Sequence, residues 1–366
     1  MPTPIANLLD ELKPLLASPA IPLPDSQFDR LARQLFAAQF HLVQPYRNLC
    51  LARGCTPASI THWTQIPSVP TASFKEFDWT SLPPDNRTTM FHSSGTTADT
   101  PSRHFHDARS LEIYERSVLA WARGWLFPHD SQRVELLILT PDPQTAPHSS
   151  LVHMFEVIRR EWGTADSGFA GACDPTGRWI LPHHPSRSRL TRSQTEGRPL
   201  ALLGTAFLFV DLLDQLRTDP IPKALPPGSR ILETGGYKGR SRALPKTELY
   251  RQLTECLGIP SSSIVSEYGM CELSSQAYDH AAGTPETGQN RTFQFPPWTR
   301  AVIINPDTNT PAGPGESGLL RLFDLANVRS VMAIQTEDLA CAQPGGFQLL
   351  GRAAAAQARG CSLMGP

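Results

Sequence analysis

Residues 91–105, FHSSGTTADTPSRHF, gather hydroxyls and a single glycine into five consecutive positions, Ser93, Ser94, Gly95, Thr96 and Thr97. The stretch has neither the alternation of a half-buried strand nor the 3.6-residue period of an amphipathic helix. A loop of this composition offers backbone N–H groups and hydroxyls with no bulky side chain in the way. The oxygens of a polyphosphate need such donors. The Walker pattern GxxxxGK[ST] occurs nowhere in the chain. Alone, the loop reads equally as a flexible turn, so its meaning depends on what surrounds it.

Working outward, Asp25 or Ser26 is positioned to cap a helix whose apolar face is Phe28, Leu31, Leu35, Phe36 and Phe40. A second helix is predicted after Asp107, with Leu111, Tyr114, Val118, Trp121 and Trp125 on its buried side. Strands are then predicted at 134–139, 200–203, from Ile231 and at 263–266, alternating with helices at 151–162, 207–216 and 246–257. Strands alternating with helices imply a largely parallel sheet covered on both faces. After about residue 290 the helical patterns stop, and short strands at 302–304, 319–323 and 347–350 are separated by Pro/Gly turns. The fold class is therefore α/β with a small meander or barrel-like β subdomain. The expected segments are 1–290, 291–350 and a tail from 351 to 366. The Arg-, Ser-, Pro- and His-rich stretch from Cys173 to Arg198 reads as a surface excursion, with His183 and His184 in a solvated loop.

Composition excludes several classes of function. Lys+Arg is 33 against Asp+Glu 34, a formal net charge of -1, so no field exists to hold nucleic acid. The start, MPTPIANLLDELKPLL, lacks the basic and apolar regions of a signal peptide. The most apolar stretch, ALLGTAFLFVDLL from Ala201, is too short and interrupted to cross a bilayer, so a cytoplasmic protein is expected. Seven scattered cysteines suit free thiols in a reducing compartment, and neither CxxC nor HExxH points to a zinc site.

Three further fragments follow the hydroxyl-rich loop in order. ETGGYKG, 233–239, places two bare glycines after a predicted strand, where a flat ring could lie on the backbone. SEYGMCE, 266–272, supplies an aromatic ring and, four residues on, a carboxylate. IQTED, 334–338, ends an apolar segment in an acid and is followed by Gly351-Arg352. This order resembles the acyl-adenylate-forming superfamily. PGESGLLRLFDLANVRSVMAIQTEDLA, LLGTAFLFVDLLDQL and GRAAAAQARGCSL are similar to the LuxE-type acyl-protein synthetases in particular.

The resemblance implies ATP and Mg²⁺ as cofactors and a carboxylic acid, most simply a fatty acid, as substrate. Ser93 to Thr97 would hold phosphates, Gly235, Gly236, Tyr268 and Gly269 the adenine, Glu272 the metal and Asp338 the ribose. Arg352 would occupy the hinge position. The family's phosphate-loop lysine is absent, leaving Arg103 or Lys238 as the cation. Cys271 stands for the usual threonine and Glu337 for the usual glycine.

The family's further mobile domain has no counterpart after Arg352, and it is expected to be missing or vestigial. The resemblance instead implies that Cys361 in the flexible tail accepts the acyl group. Arg359 beside it would favour the thiolate, and an acyl-protein reductase would be the partner. Two alternatives remain open: a CoA ligase of phenylacetate-CoA ligase type, and a non-catalytic nucleotide- or acyl-binding subunit.

Overall fold

The structure, a computed structural model, describes residues 4–93, 100–128, 132–236, 244–284 and 291–353. It divides into two compact units: Met1–Ala120 with Met270–Gln276 and Thr292–Pro366, and Trp121–Gly269 with Ala277–Arg291. A cut at residue 290 therefore parts the carboxyl-terminal strands from the amino-terminal helices of their own unit.

The first unit begins with three helices, α1 (Pro4–Leu16), α2 (Asp25–Leu42) and α3 (Gln44–Ala52). The apolar face read for α2 is buried in full, but Asp25 is not its cap. Pro24 holds that position without a side-chain bond, and Asp25 instead accepts a hydrogen bond from Trp63 Nε1 at 3.0 Å. A polar residue also shares the buried face. Gln39 is fully buried; its Nε2 donates to Asn327 O at 2.8 Å and its Oε1 accepts from Met332 N at 3.0 Å. Strand β1 (Val69–Pro70) precedes a hairpin of β2 (Thr89–His92) and β3 (Arg103–His106), and α4 (Ala108–Leu126) follows. Asp107 caps α4 by accepting from Ser110 N at 2.8 Å. The buried face of α4 is Ile113, Tyr114, Ser117, Val118 and Ala122, whereas Leu111, Trp121 and Trp125 are only half-buried. Ser117 turns inward because it accepts from Trp298 Nε1 at 3.1 Å, a bond that hydrophobic periodicity cannot show.

In the second unit a parallel sheet is built from β4 (Glu135–Ile138), β5 (Gly168–Phe169), β8 (Leu200–Thr205), β9 (Arg230–Thr234) and β10 (Ile264–Tyr268). The small hairpin β6 (Ala172–Cys173) and β7 (Trp179–Ile180) lies between them in sequence, and β11 (Ala277–Tyr278) closes the sheet edge antiparallel to β10. The order is β11-β10-β9-β8-β4-β5. Every residue of β4, β8, β9 and β10 is buried, as for strands covered on both faces. The helices are α5 (Ser150–Trp162), α6 (His183–Glu196), α7 (Ala206–Thr218) and α8 (Lys246–Leu257). Leu202, Phe209, Leu213, Leu253 and Ile264 share one core cluster.

The stretch expected to be a surface excursion is ordered: α6 occupies fourteen of its residues, with His183 and His184 in its first turn. Its buried residues are Leu190 and two serines, so it has almost no apolar stripe to read. It is held instead by Arg189 Nη1, which donates to Leu136 O at 3.3 Å, and by the Arg187–Asp219 pair at 2.8 Å.

The chain returns to the first unit as a meander of β12 (Thr299–Ile304), β13 (Ser317–Asp324), β14 (Ala333–Gln343) and β15 (Gly346–Arg352). Strand β1 adds in parallel to β14, pairing Val69 with Ile334. Gly345, at φ +81°, supplies the positive φ that the Pro344-Gly345 turn between β14 and β15 requires. Two expectations change here. Asp338 lies inside β14 rather than at a strand end, and Gly351-Arg352 belong to β15 rather than to a tail.

No described helix is long and apolar enough to cross a membrane. Replacing Gln39 with leucine leaves the Met332 N–H and the Asn327 carbonyl buried without partners. The expected loss is about 2–4 kcal/mol of unfolding free energy. Urea unfolding of Gln39→Leu measures it, and wild-type stability would show that these two bonds carry no net weight.

Candidate active site

In the first unit the hydroxyl-rich stretch joins the two strands of the β2–β3 hairpin, whose register pairs His92 with Arg103. Its neck is closed twice: Ser93 N donates to Ser102 O at 3.1 Å, and Ser102 N donates to Ser93 Oγ at 2.9 Å. Ser102 then reaches Glu272, its Oγ donating to Oε1 at 2.6 Å, while Cys271 Sγ donates to Oε2 at 3.2 Å. Glu272 is only 6% exposed, so a donor on each oxygen is what keeps its burial tolerable.

The backbone around Glu272 is pinned from three sides. Asn327 Nδ2 donates to Glu272 O at 2.9 Å. Buried Asp324 accepts from Ser274 N at 3.1 Å and from Ser275 Oγ at 2.8 Å. His104 Nδ1 lies 2.7 Å from Cys271 O, an atom that can only accept, so the proton sits on Nδ1. Burial pushes His104 down to about 4, which leaves the ring neutral at pH 7. Asp324 and His104 thus fix the carboxyl from behind without adding a cation to it.

Arg103 is committed elsewhere. Its Nε donates to Asp78 Oδ1 at 3.0 Å, and Arg87 Nη1 holds the other oxygen of the same carboxylate at 2.7 Å. Asp338 and Arg352 are a register pair across β14 and β15, with Arg352 Nε 3.6 Å from Asp338 Oδ1. The Arg352 side chain is 69% exposed, so the pair has little energetic weight.

In the second unit β9 runs through Thr234 into Gly235 and Gly236, which are both exposed. Gly235 has φ +71°, and a Cβ added to Gly236 meets no atom of the described residues within 4 Å. The bareness of Gly236 is thus not demanded by its own packing. Tyr268 ends β10, one residue beyond the Glu267–Thr234 register pair, and Gly269 after it is exposed. Behind these residues lie two buried acids. Glu233 accepts from Ser266 Oγ at 3.1 Å and from Tyr250 OH at 3.3 Å, and Glu267 accepts from Thr234 Oγ1. Burial raises Glu233, and burial with the nearby Glu233 charge pushes Glu267 up to about 7. The strands extend past their expected ends because these side-chain pairs satisfy polar residues that a hydrophobicity pattern reads as loop.

Ser94, Gly95, Thr96, Thr97, Lys238 and Cys361 lie outside the described residues. Ser102, His104, Asp324 and Asn327 had no sequence signal as site residues, except that Ser102 stands beside the expected cation Arg103. The described residues fit the implied groups. Among them no three His, Cys, Asp or Glu side chains cluster as a metal cage. Mg²⁺ commonly binds through one or two carboxylates with substrate phosphates and water, so Glu272 alone is a suitable protein ligand. The open space at Gly236 suits a flat base.

Glu267 makes the stability of the protein depend on pH in a defined direction. Its folded pKa, about 7, lies above the ordinary value of 4.5. The stabilisation is therefore complete below pH 4.5 and is lost as pH rises through 7. Glu267→Gln removes this titration while keeping the acceptor for Thr234, and at pH 8 it should be more stable than wild type by about 1–3 kcal/mol. Urea unfolding of both proteins at pH 5 and pH 8 tests this. Curves that stay parallel between the two pH values would exclude Glu267 as the titrating group, since groups not coupled to it cancel in the comparison.

A family model described as acyl-protein synthetase, LuxE, matches residues 24–364. A long-chain-fatty-acid–luciferin-component ligase of Aliivibrio fischeri is 21% identical, covering 85% of this chain and 78% of its own. Its counterpart from Vibrio harveyi is 23% identical with the same coverage. Among solved structures, an open form of 2-hydroxyisobutyryl-CoA ligase superposes with a TM-score of 0.63 at 14% identity, over 90% of this chain and 76% of that one. The same ligase in its thioesterification state has a TM-score of 0.64 and covers 90% of this chain and 68% of its own. At such identity the structural likeness shows the fold, which is that of adenylate-forming ligases. The family match covers nearly the whole chain, so the protein belongs to the LuxE acyl-protein synthetase family and is an acid-activating, AMP-forming ligase.

Proposed function

We propose that the protein activates a long-chain fatty acid with ATP and transfers the acyl group through its own Cys361 to an acyl-protein reductase. The observation that carries the reading is the buried Glu272 carboxyl, gripped by Ser102 and Cys271 at the neck of a Ser/Thr/Gly loop. The names of the two bacterial relatives support a long-chain fatty acid as the substrate.

In the first step a carboxylate oxygen of the acid attacks the α-phosphorus of ATP. The bond to the β-phosphate oxygen breaks, and pyrophosphate leaves with the electron pair. Catalysis of such a step rests on positioned donors more than on a general base. Ser93 to Thr97 would hold phosphate oxygens, Gly235, Gly236, Tyr268 and Gly269 the adenine, and Asp338 the ribose hydroxyls. Glu272 would hold Mg²⁺, which when bound supplies positive charge to the phosphates. Arg103 can add charge only by leaving Asp78, a half-exposed pair whose loss costs little; Lys238 is the other cation available. Arg352, beside Asp338 in the strand register, would occupy the hinge position.

In the second step a thiolate attacks the acyl carbonyl carbon, the bond to AMP breaks and a thioester forms, with the thiol proton passing to solvent. Four of the six described cysteines are poorly suited to this. Burial pushes Cys50 up to about 12, and burial together with Glu272 raises Cys271 well above the ordinary thiol value. Cys173 and Cys256 are also raised by burial. A raised thiol carries little thiolate at neutral pH, which argues against these four; the family match, which runs to residue 364, supports Cys361 as the acceptor.

Glu272→Gln should slow acid-dependent pyrophosphate exchange by about 10²–10³-fold, by analogy with the loss of one transition-state donor. Exchange at the wild-type rate would remove Glu272 from the mechanism. Cys361→Ser should exchange pyrophosphate normally yet retain no hydroxylamine-labile label from labelled acid and ATP. Equal label on both proteins would place the acyl group on another residue, and label appearing only on added coenzyme A would make that the acceptor.

A further inference from the structure

The first unit holds a second concave site, formed by residues that have no role in the reaction above. Segments around α3, β1 and β12–β14 enclose a cleft of about 580 Å³. Arg53 and Arg321 both line it, and none of its fourteen lining residues is Asp or Glu. The two guanidiniums are held by neutral oxygens. Arg53 Nη1 donates to Ser68 O at 3.1 Å. Arg321 Nε donates to Gln335 Oε1 at 2.8 Å, and its Nη2 donates to Asn309 Oδ1 at 2.7 Å. Gln335 is itself fixed, since its Nε2 donates to Leu320 O at 3.1 Å and to Thr336 O at 3.2 Å. Asn309 adopts φ 55°, the one positive φ at a non-glycine among the described residues.

Four half-buried arginines are matched to acids, whereas Arg189 and Arg300, like Arg321, donate to neutral oxygens. Arg329 pairs with Asp107, Arg187 with Asp219, and Arg87 and Arg103 share Asp78. In the cleft, burial and the charge of Arg53 lower Arg321 below the usual guanidinium range. Two cations facing one wall with no acid repel each other, and a guanidinium has five N–H donors. The described bonds use two of these on Arg321 and one on Arg53, so several donors remain on each.

We infer that this cleft is a binding site for a small phosphorylated molecule, with Arg53 and Arg321 gripping the phosphate group. A phosphate monoester carries about two negative charges at pH 7 and three acceptor oxygens, which match two guanidinium forks on one group; a single carboxylate would neutralise only one of them. The cleft is far larger than a bare phosphate and falls within the ~300–1,000 Å³ typical of small-molecule sites. The inference is independent of the adenylation chemistry.

Calorimetry on the full chain at fixed ionic strength tests it, with inorganic phosphate, glycerol phosphate and malonate as probes, each with and without saturating ATP. Both phosphates should bind, ATP should leave that binding unchanged, and Arg53→Gln and Arg321→Gln should each weaken it at least tenfold. Arg53 is exposed, so its variant folds whatever the role of Arg321. Without a probe, Arg321→Gln should melt no lower than wild type, because it relieves repulsion; a purely structural arginine would lower the melting point. Absence of phosphate binding, equal affinity in both variants, or displacement by ATP would each overturn the proposal. Malonate binding as tightly as glycerol phosphate would overturn the assigned class.

Discussion

A carboxyl buried to 6% exposure survives in a folded protein only if its oxygens find donors, and the first unit is organised around meeting that demand for Glu272. Ser102 and Cys271 take one oxygen each, and Ser102 is itself set by the closed neck of the hairpin loop. Behind them His104, Asn327 and Asp324 tie down the backbone of residues 271–275. Gln39 in turn ties α2 to the segment that carries Asn327. A shift in any of these would be felt at the carboxyl, because the chain from α2 to Glu272 runs through hydrogen bonds of fixed direction rather than through adaptable apolar packing.

The second unit solves a different problem. Its parallel strands are covered on both faces and are mostly apolar, yet β9 and β10 carry polar residues towards their carboxyl ends. Glu233 and Glu267 stand at that transition, paired with Ser266 and Thr234 across adjacent strands. Their raised proton affinity is the physical consequence of keeping acids where the sheet excludes water. Gly235 and Gly236 then leave the backbone bare at the point where the strand ends.

The cysteines follow the same logic of burial. Cys271 sits beside the carboxyl as a hydrogen-bond donor, and its raised thiol is suited to that role rather than to attack. That position thus serves the structure around Glu272.

By itself, the sequence determined the fold class, the alternation of strands and helices from 134 to 268, the late β meander and the family. Each of these is written in local periodicity or in contiguous motifs, and α8 is found at its expected bounds, Lys246–Leu257. Only the tertiary structure decided the rest. It placed Asp338 inside a strand opposite Arg352, joined β1 to β14 across more than two hundred residues of chain, and ordered α6 despite its two buried serines and lack of an apolar stripe. It also brought Ser102 to Glu272, 170 residues apart, and left Arg53 and Arg321 facing a cleft without an acid. Such pairings depend on which polar groups find each other once water is excluded, and no local pattern along the chain encodes that.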